Sequence, residues 1–202
     1  MDHNNILPVV LAGGKSIRFG EDKSQAKLGG KILIDYILEE LNKEFEEILI
    51  VANNSIEHLS SKKIFLIKDC KKNMGPLAGV LSAMKWVKEN NNNYKWISTF
   101  PSDTPFFTKK ELKKFYKNIQ IEKNKLFFIK NNKTRHNIFG LWSLELMDQL
   151  ESDLLKGERK VEFWANSIGV SIVNVEHQDF DPFFNINTKE DLEKARKILN
   201  ND

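Results

Sequence analysis

The sequence predicts an α/β domain with a mostly parallel sheet and helices on both faces, and three observations predict it. Short continuous apolar runs, the pattern of strands buried on both faces, recur along the chain. Between them lie stretches whose apolar residues fall three or four positions apart, as on one face of a helix. Capping and turn residues mark several of the changes from one pattern to the other. The 202 residues suit one compact domain.

A first strand is predicted at residues 6–11, ILPVVL, running into Gly13 and Gly14 as a buried strand feeding a turn would. Ile34, Ile37, Leu38 and Leu41 then fall at helical spacing, and strands follow at 48–52 and 64–67. Gly75 and Pro76 open a helix with Leu77, Val80, Leu81, Met84 and Val87 on one face. Proline suits the first helical position, where the N–H it lacks would have no helical partner. The asparagine-rich residues 90–93 read as a polar loop before a fourth strand at 96–100.

Thr108 with Glu111 three residues later has the form of a capping box, followed by Leu112, Phe115, Tyr116 and Ile119 at helical spacing. Strands at 126–129 and 138–142 are predicted to be joined across the polar stretch 130–137. A helix over 144–155 stops at Gly157. A late strand at 172–175 precedes Thr188 and Asp191, which start a last helix carrying Leu192, Ala195 and Ile198.

Composition narrows the function classes. With 41% hydrophobic and 10% aromatic residues, the chain can build a core, which excludes disorder as the whole answer. The 31 Lys+Arg against 28 Asp+Glu leave only +3, too small for a dedicated nucleic-acid binder yet compatible with a local cationic site. Cys70, the one cysteine, excludes an intramolecular disulfide or a multi-cysteine metal site and suits a reducing compartment. The apolar run at 6–12 is too short to span a bilayer and lacks a charged leader, so an unprocessed cytoplasmic protein is expected.

Ligands of open α/β sheets bind at the carboxyl ends of strands. The richest such segment is LAGGKSIRFGEDK, residues 11–23, which places Gly13, Gly14 and Gly20 with Lys15, Arg18 and Lys23 directly after the first strand. Glycines let backbone N–H groups approach phosphate oxygens, and the cations neutralise them. Two familiar phosphate loops fail here. A Walker A loop needs glycine five positions before Gly14, where Val9 stands, and the three glycines lack the Gly-x-Gly-x-x-Gly spacing of a dinucleotide fold.

The run LAGGKSIRFGEDK resembles the signature of nucleotidyltransferases that activate small phosphorylated molecules, most closely that of the molybdenum cofactor guanylyltransferases. The likeness continues through MGPLAG at 74–79, FPSDTPF at 100–106, GERKV at 157–161 and NINTKEDL at 185–192, in that family's order and over most of the chain. It implies a three-layer α/β/α, Rossmann-like nucleotidyltransferase fold. One domain over 1–202 would hold the nucleotide with about 1–105 and the acceptor with about 106–202.

The resemblance also implies roles. Leu11, Ala12 and Gly13 would contact the guanine nucleotide through their backbone, and Asp69 its guanosine part. Arg18 and Lys23 would compensate the charge of the triphosphate and of the transition state. Asp103, presented between Pro101 and Pro105, would bind the nucleotide and Mg²⁺, a cation that prefers oxygen ligands. Asn185 and Asn187, alternating on an extended segment, would face the acceptor, as would Arg159 and Lys160, whose competing reading is a solvated helix start. His136 matches a position on the acceptor side and is not expected to act as a base.

The substrates implied are GTP and molybdenum–molybdopterin, with GMP transferred and pyrophosphate released. Transient contacts are implied with proteins of molybdenum cofactor biosynthesis or with the apoenzymes that receive the product. A monomer without nucleic-acid or membrane partners is expected. The chain departs from the family at Val51, where an asparagine two positions before Asn53 is common and which Asn53 would replace, and at Phe19 and Ser102, which leave the charge unchanged. Two alternatives remain open at this point: a cytidylyl- or sugar-1-phosphate nucleotidyltransferase with the same loop, and a non-catalytic nucleotide-binding or chaperone-like relative.

Overall fold

The structure is a computed structural model, and it describes residues 5–13, 26–53, 63–69, 74–90, 93–121, 123–132, 134–177 and 180–200. In chain order its elements are β1 (Ile6–Leu11), a hairpin of β2 (Lys27–Leu28) and β3 (Lys31–Ile32), α1 (Leu33–Leu41), β4 (Glu47–Val51), β5 (Lys63–Ile67) and α2 (Pro76–Glu89). There follow β6 (Trp96–Pro101), α3 (Lys109–Lys117), β7 (Leu126–Asn131), β8 (Thr134–Ser143), α4 (Met147–Leu155), α5 (Val161–Ile168), β9 (Ser171–Asn174) and α6 (Lys189–Leu199).

A seven-stranded sheet runs β5-β4-β1-β6-β8-β7-β9, in which β8 alone is antiparallel to its neighbours. Alternation along the strands fills both faces. Ile6 and Val10 of β1 with Ile48 and Ile50 of β4 point to the layer of α1 and α3, where Ile37, Leu41, Leu112 and Phe115 cover them. Leu7 and Val9 with Leu49 and Val51 point to α2, α4 and α5, against Leu77, Leu81, Met84, Leu150 and Trp164. Each such side chain, fully buried, stabilises the fold by roughly 1.5–3 kcal/mol relative to exposure. A smaller cluster, Leu28, Leu33, Ile186, Leu192 and Ala195, seats α6 beside the β2–β3 hairpin.

The MGPLAG motif has a mechanical explanation. Gly75 takes a φ of 76°, in the region that favours glycine, at the cap of α2, and Pro76 follows in the first turn. A β-carbon on Gly79 would come within 3.2 Å of Leu11 Cδ2, so this glycine lets α2 close onto the end of β1. The predicted capping box of Thr108 with Glu111 is present on α3, and the predicted helix start at Thr188 and Asp191 is a second capping box, on α6.

The sheet differs from expectation at its second half. The stretch 130–137 is not a loop: β7 runs on through Asn131 and β8 begins at Thr134, pairing Lys130 with Arg135 and Asn131 with Thr134 around a turn at Asn132, whose φ is 49°. Ladder hydrogen bonds need only the backbone, so polar side chains continued the strands. Phe128 faces Gly140 while Ile129 faces His136, so residues 137–139 form a bulge. Trp142 Nε1 donates to Thr99 Oγ1 over 2.8 Å beside it. The helix expected over 144–155 opens as a 3₁₀ turn, Leu144–Leu146, before α4. The hairpin β2–β3 and α5 had not been predicted.

Candidate active site

The carboxyl ends of β1, β4, β5, β6, β7 and β9 share one sheet edge, and because β8 is reversed its beginning lies there too. At β1, β4 and β5, main-chain bonds carry the ladder past the strand ends: Ala12 N–H to Val51 O at 2.8 Å and Ala52 N–H to Ile67 O at 3.0 Å. Leu11, Ala12 and Gly13 are thereby held beside Val51 and Asn53. The Asn53 amide nitrogen lies 3.5 Å from Gly13 O, at the outer limit of a hydrogen bond, which brings the expected substitute for Val51 to the glycine turn.

Asp69 follows β5. Ser82 Oγ of α2 lies 3.3 Å from Asp69 Oδ1 and 2.8 Å from Ala78 O; with one proton to give, the hydroxyl favours the shorter contact. Asp103 follows β6 in a loop tightened by Thr104 Oγ1 on Pro101 O at 3.2 Å. The Ile186 N–H donates to Asp103 O over 3.0 Å, so residues 185–187 abut the Asp103 loop although more than eighty positions separate them in sequence.

The far side of that segment is anchored by α6, where Asp191 accepts the N–H groups of Asn187 (3.1 Å) and Thr188 (3.0 Å). Desolvation pushes the Asp191 carboxyl up, but these hydrogen bonds outweigh it and hold it below the ordinary aspartate range. Arg159 is turned inward: its Nη1 donates to Leu154 O (2.6 Å) and Glu158 O (2.5 Å), closing the end of α4. Lys160 is exposed at the cap of α5, its amine 5.0 Å above the Phe163 ring. A β-carbon on Gly75 would lie 3.4 Å from Arg159 O, so the basic pair and the start of α2 are neighbours.

His136 stands at the start of β8 with Nε2 3.3 Å from Asp181 Oδ2 and its ring 5.0 Å from that of Phe183. Asp181 Oδ1 accepts Asn131 Nδ2 (2.9 Å) and Phe183 N–H (3.0 Å). Partial burial raises the Asp181 carboxyl, while the contacts from His136, Asn131 and Phe183 lower it by more, leaving it below the ordinary range. Sequence reasoning missed Asp181 and Asn131. The one signal was an acid four positions before Asn185, since the partners lie far away in sequence. Arg18 and Lys23, with Gly14, Lys15, Phe19 and Cys70, lie outside the described residues.

Among the described residues no group of three or more His, Cys, Asp or Glu could enclose a metal ion, and no helix is long and apolar enough to cross a membrane. Asp103, a carboxylate just past a strand end, has the chemistry that Mg²⁺ accepts, since that ion keeps several waters and is bound through one or two carboxylates plus substrate phosphates.

Comparison with known proteins bears on the family and the fold. The family model described as the MobA-like NTP transferase domain matches residues 8–169. A protein of Sinorhizobium fredii named molybdenum cofactor guanylyltransferase is 32% identical, the match covering 98% of this chain and 94% of that one. One of the same name from Haemophilus influenzae is 31% identical over 94% of this chain and 97% of its own. In fold, the crystal structure of molybdopterin-guanine dinucleotide biosynthesis protein A from Archaeoglobus fulgidus superposes with a TM-score of 0.76 over 97% of this chain and all of the other, at 24% identity. With the family model matching most of its length and relatives of about 30% identity covering nearly all of it, this chain belongs to the MobA-like NTP transferase family.

Proposed function

We propose that the protein transfers GMP from GTP to molybdenum–molybdopterin, releasing pyrophosphate and forming the guanine dinucleotide form of the molybdenum cofactor, and that it does so as a cytoplasmic monomer. Relatives that match it over nearly their whole length carry that guanylyltransferase name. The observation that carries the reading is the Ile186-to-Asp103 main-chain bond, which joins the segment of Asn185 and Asn187, read here as acceptor residues, to the loop of Asp103, read as the nucleotide and metal carboxylate.

The terminal phosphate of the acceptor is already an anionic nucleophile, so no covalent enzyme intermediate is needed. Its oxygen attacks the α-phosphorus of GTP, the bond to the β-phosphate oxygen breaks, and the electron pair leaves with pyrophosphate. Positioning and electrostatics therefore supply most of the acceleration. Leu11, Ala12, Gly13 and Asp69 hold the nucleotide, with Arg18 and Lys23 countering its charge. Arg159, Lys160, Asn185 and Asn187 serve the acceptor, within the division at about residues 105–106. Asp103 would hold Mg²⁺, which when bound neutralises phosphate charge.

The test is pyrophosphate release with molybdenum-loaded molybdopterin and Mg²⁺, comparing GTP, CTP and UTP. GTP-dependent release supports guanylyl transfer. Preference for CTP or UTP assigns the chain to a sister chemistry on the same fold, and no release with any nucleotide leaves a non-catalytic relative.

A further inference from the structure

Asp181 has no part in the chemistry just proposed, yet it joins three pieces of the acceptor side. Its Oδ1 accepts the Asn131 amide from the end of β7 (2.9 Å) and the Phe183 N–H (3.0 Å), and its Oδ2 faces His136 Nε2 at the start of β8 (3.3 Å). Asn131 is 3% exposed, and its Oδ1 accepts the His177 N–H over 3.1 Å. His177 Nε2 in turn lies 2.7 Å from Oε1 of Glu111, which is 1% exposed and closes the capping box of α3. The carboxylate thus ends a line of polar contacts that begins in the first turn of a helix on the sheet's flank.

From Asp181 the chain runs as a strap to α6. Phe183 is fully buried, its ring 6.2 Å from Phe107 and 4.9 Å from Phe139, and Ile186 is fully buried with its N–H on Asp103 O. The strap is fixed at one end to the β7–β8 hairpin and at the other to the nucleotide carboxylate's loop.

We propose that Asp181 is a positioning residue for the acceptor: by holding His136, Asn131 and the start of the strap together, it sets the distance between Asn185, Asn187 and Asp103. The inference rests on the guanylyl-transfer reading. Removing the carboxylate leaves the buried Asn131 amide without its acceptor and takes away the strap's polar tie to β7 and β8, leaving only the packing of Phe183 at that end. Replacing it with an amide keeps an oxygen for Asn131 and Phe183 and puts an NH₂ donor in place of the charged acceptor toward His136. The two changes therefore separate the frame from the charge.

The experiment measures KM for molybdenum-loaded molybdopterin and for GTP in wild type, Asp181→Ala and Asp181→Asn, with melting curves for all three. The expected result is an acceptor KM raised at least tenfold in Asp181→Ala, partial recovery in Asp181→Asn, and a GTP KM within twofold of wild type throughout. An unchanged acceptor KM, or equal loss toward both substrates in a variant that melts like wild type, overturns the inference. If Asp181→Ala loses its cooperative transition, Asp181→Asn decides: a selective rise in acceptor KM supports the role, and its absence removes it. Wild type that releases no pyrophosphate from GTP fails the guanylyl-transfer reading itself, a different outcome from wild-type kinetics in the variants.

Discussion

The ring of Phe128 lies so close over Gly140 that a β-carbon at residue 140 would stand 2.5 Å from Phe128 Cδ1 and 2.9 Å from Phe127 O. The two residues are opposite one another on β7 and β8, where the ladder shifts into the bulge. Backbone on one side leaves no room for a simple rotamer change. Gly140→Ala should cost about 2–3 kcal/mol, the upper range for overpacking, with the denaturant midpoint as the measurement.

Gly79→Ala should behave differently. The contact it would make, 3.2 Å to Leu11 Cδ2, is to the end of a side chain that can shift by a few tenths of an ångström. The strain is offset in part by helix propensity, worth roughly 1 kcal/mol for this exchange. Melting temperature should therefore change little while the GTP KM rises, because Leu11 opens the nucleotide turn. A steady-state titration of GTP beside a melting curve checks both.

Asp103→Asn keeps the shape of the loop and the carbonyl that Ile186 uses, and removes the charge. GMP transfer should fall by at least about 10²-fold, the scale for losing one group that stabilises transition-state charge. The melting curve should stay near that of wild type. Pyrophosphate release at saturating GTP is the readout, and near-wild-type turnover would remove Asp103 from the chemistry.

Asp181 and Asp191 both sit below the ordinary aspartate range when folded. A lowered carboxylate contributes stability that is fully present above the unfolded-state value, about 3.9, and is lost as pH falls through the lower folded value. Stability should thus be flat in these two groups near neutrality and decline from about pH 4 downward. Thr188→Ala removes one hydrogen bond that lowers Asp191 and the cap on Asp191 N–H, so it should cost about 1 kcal/mol near neutrality and shrink the acid-dependent part. Urea melts at pH 7 and pH 3 would show both effects.

What could be read in advance followed from how local the signal was. The β1 run, the Gly75–Pro76 helix start and the two capping boxes are decided within a few residues, and they stand where the pattern placed them. The polar start of β8 was misjudged because Thr134, Arg135 and His136 pair through their backbone with β7, a partner that side-chain pattern does not reveal. The eight residues of α5 are too short to show a clear period, and β2 and β3 are two residues each. At the site, Asp69, Asp103 and Asn185 were readable as residues after strands or in a signature. That Ile186 bonds Asp103, or that Asp181 gathers Asn131 and His136, depends on chain crossings with no local trace.

The reversal of β8 bears on how such a protein can change. A strand running against its neighbours joins β7 by a turn at Asn132 on the very edge where the ligands would lie, whereas β1 reaches β4, β5 reaches β6 and β6 reaches β7 through α1, α2 and α3 across the layers. That turn can be lengthened or exchanged without threading new chain through the core or disturbing β1, β4 and β5. The fold thereby offers a place to retune what is received while leaving untouched the part that holds what is given.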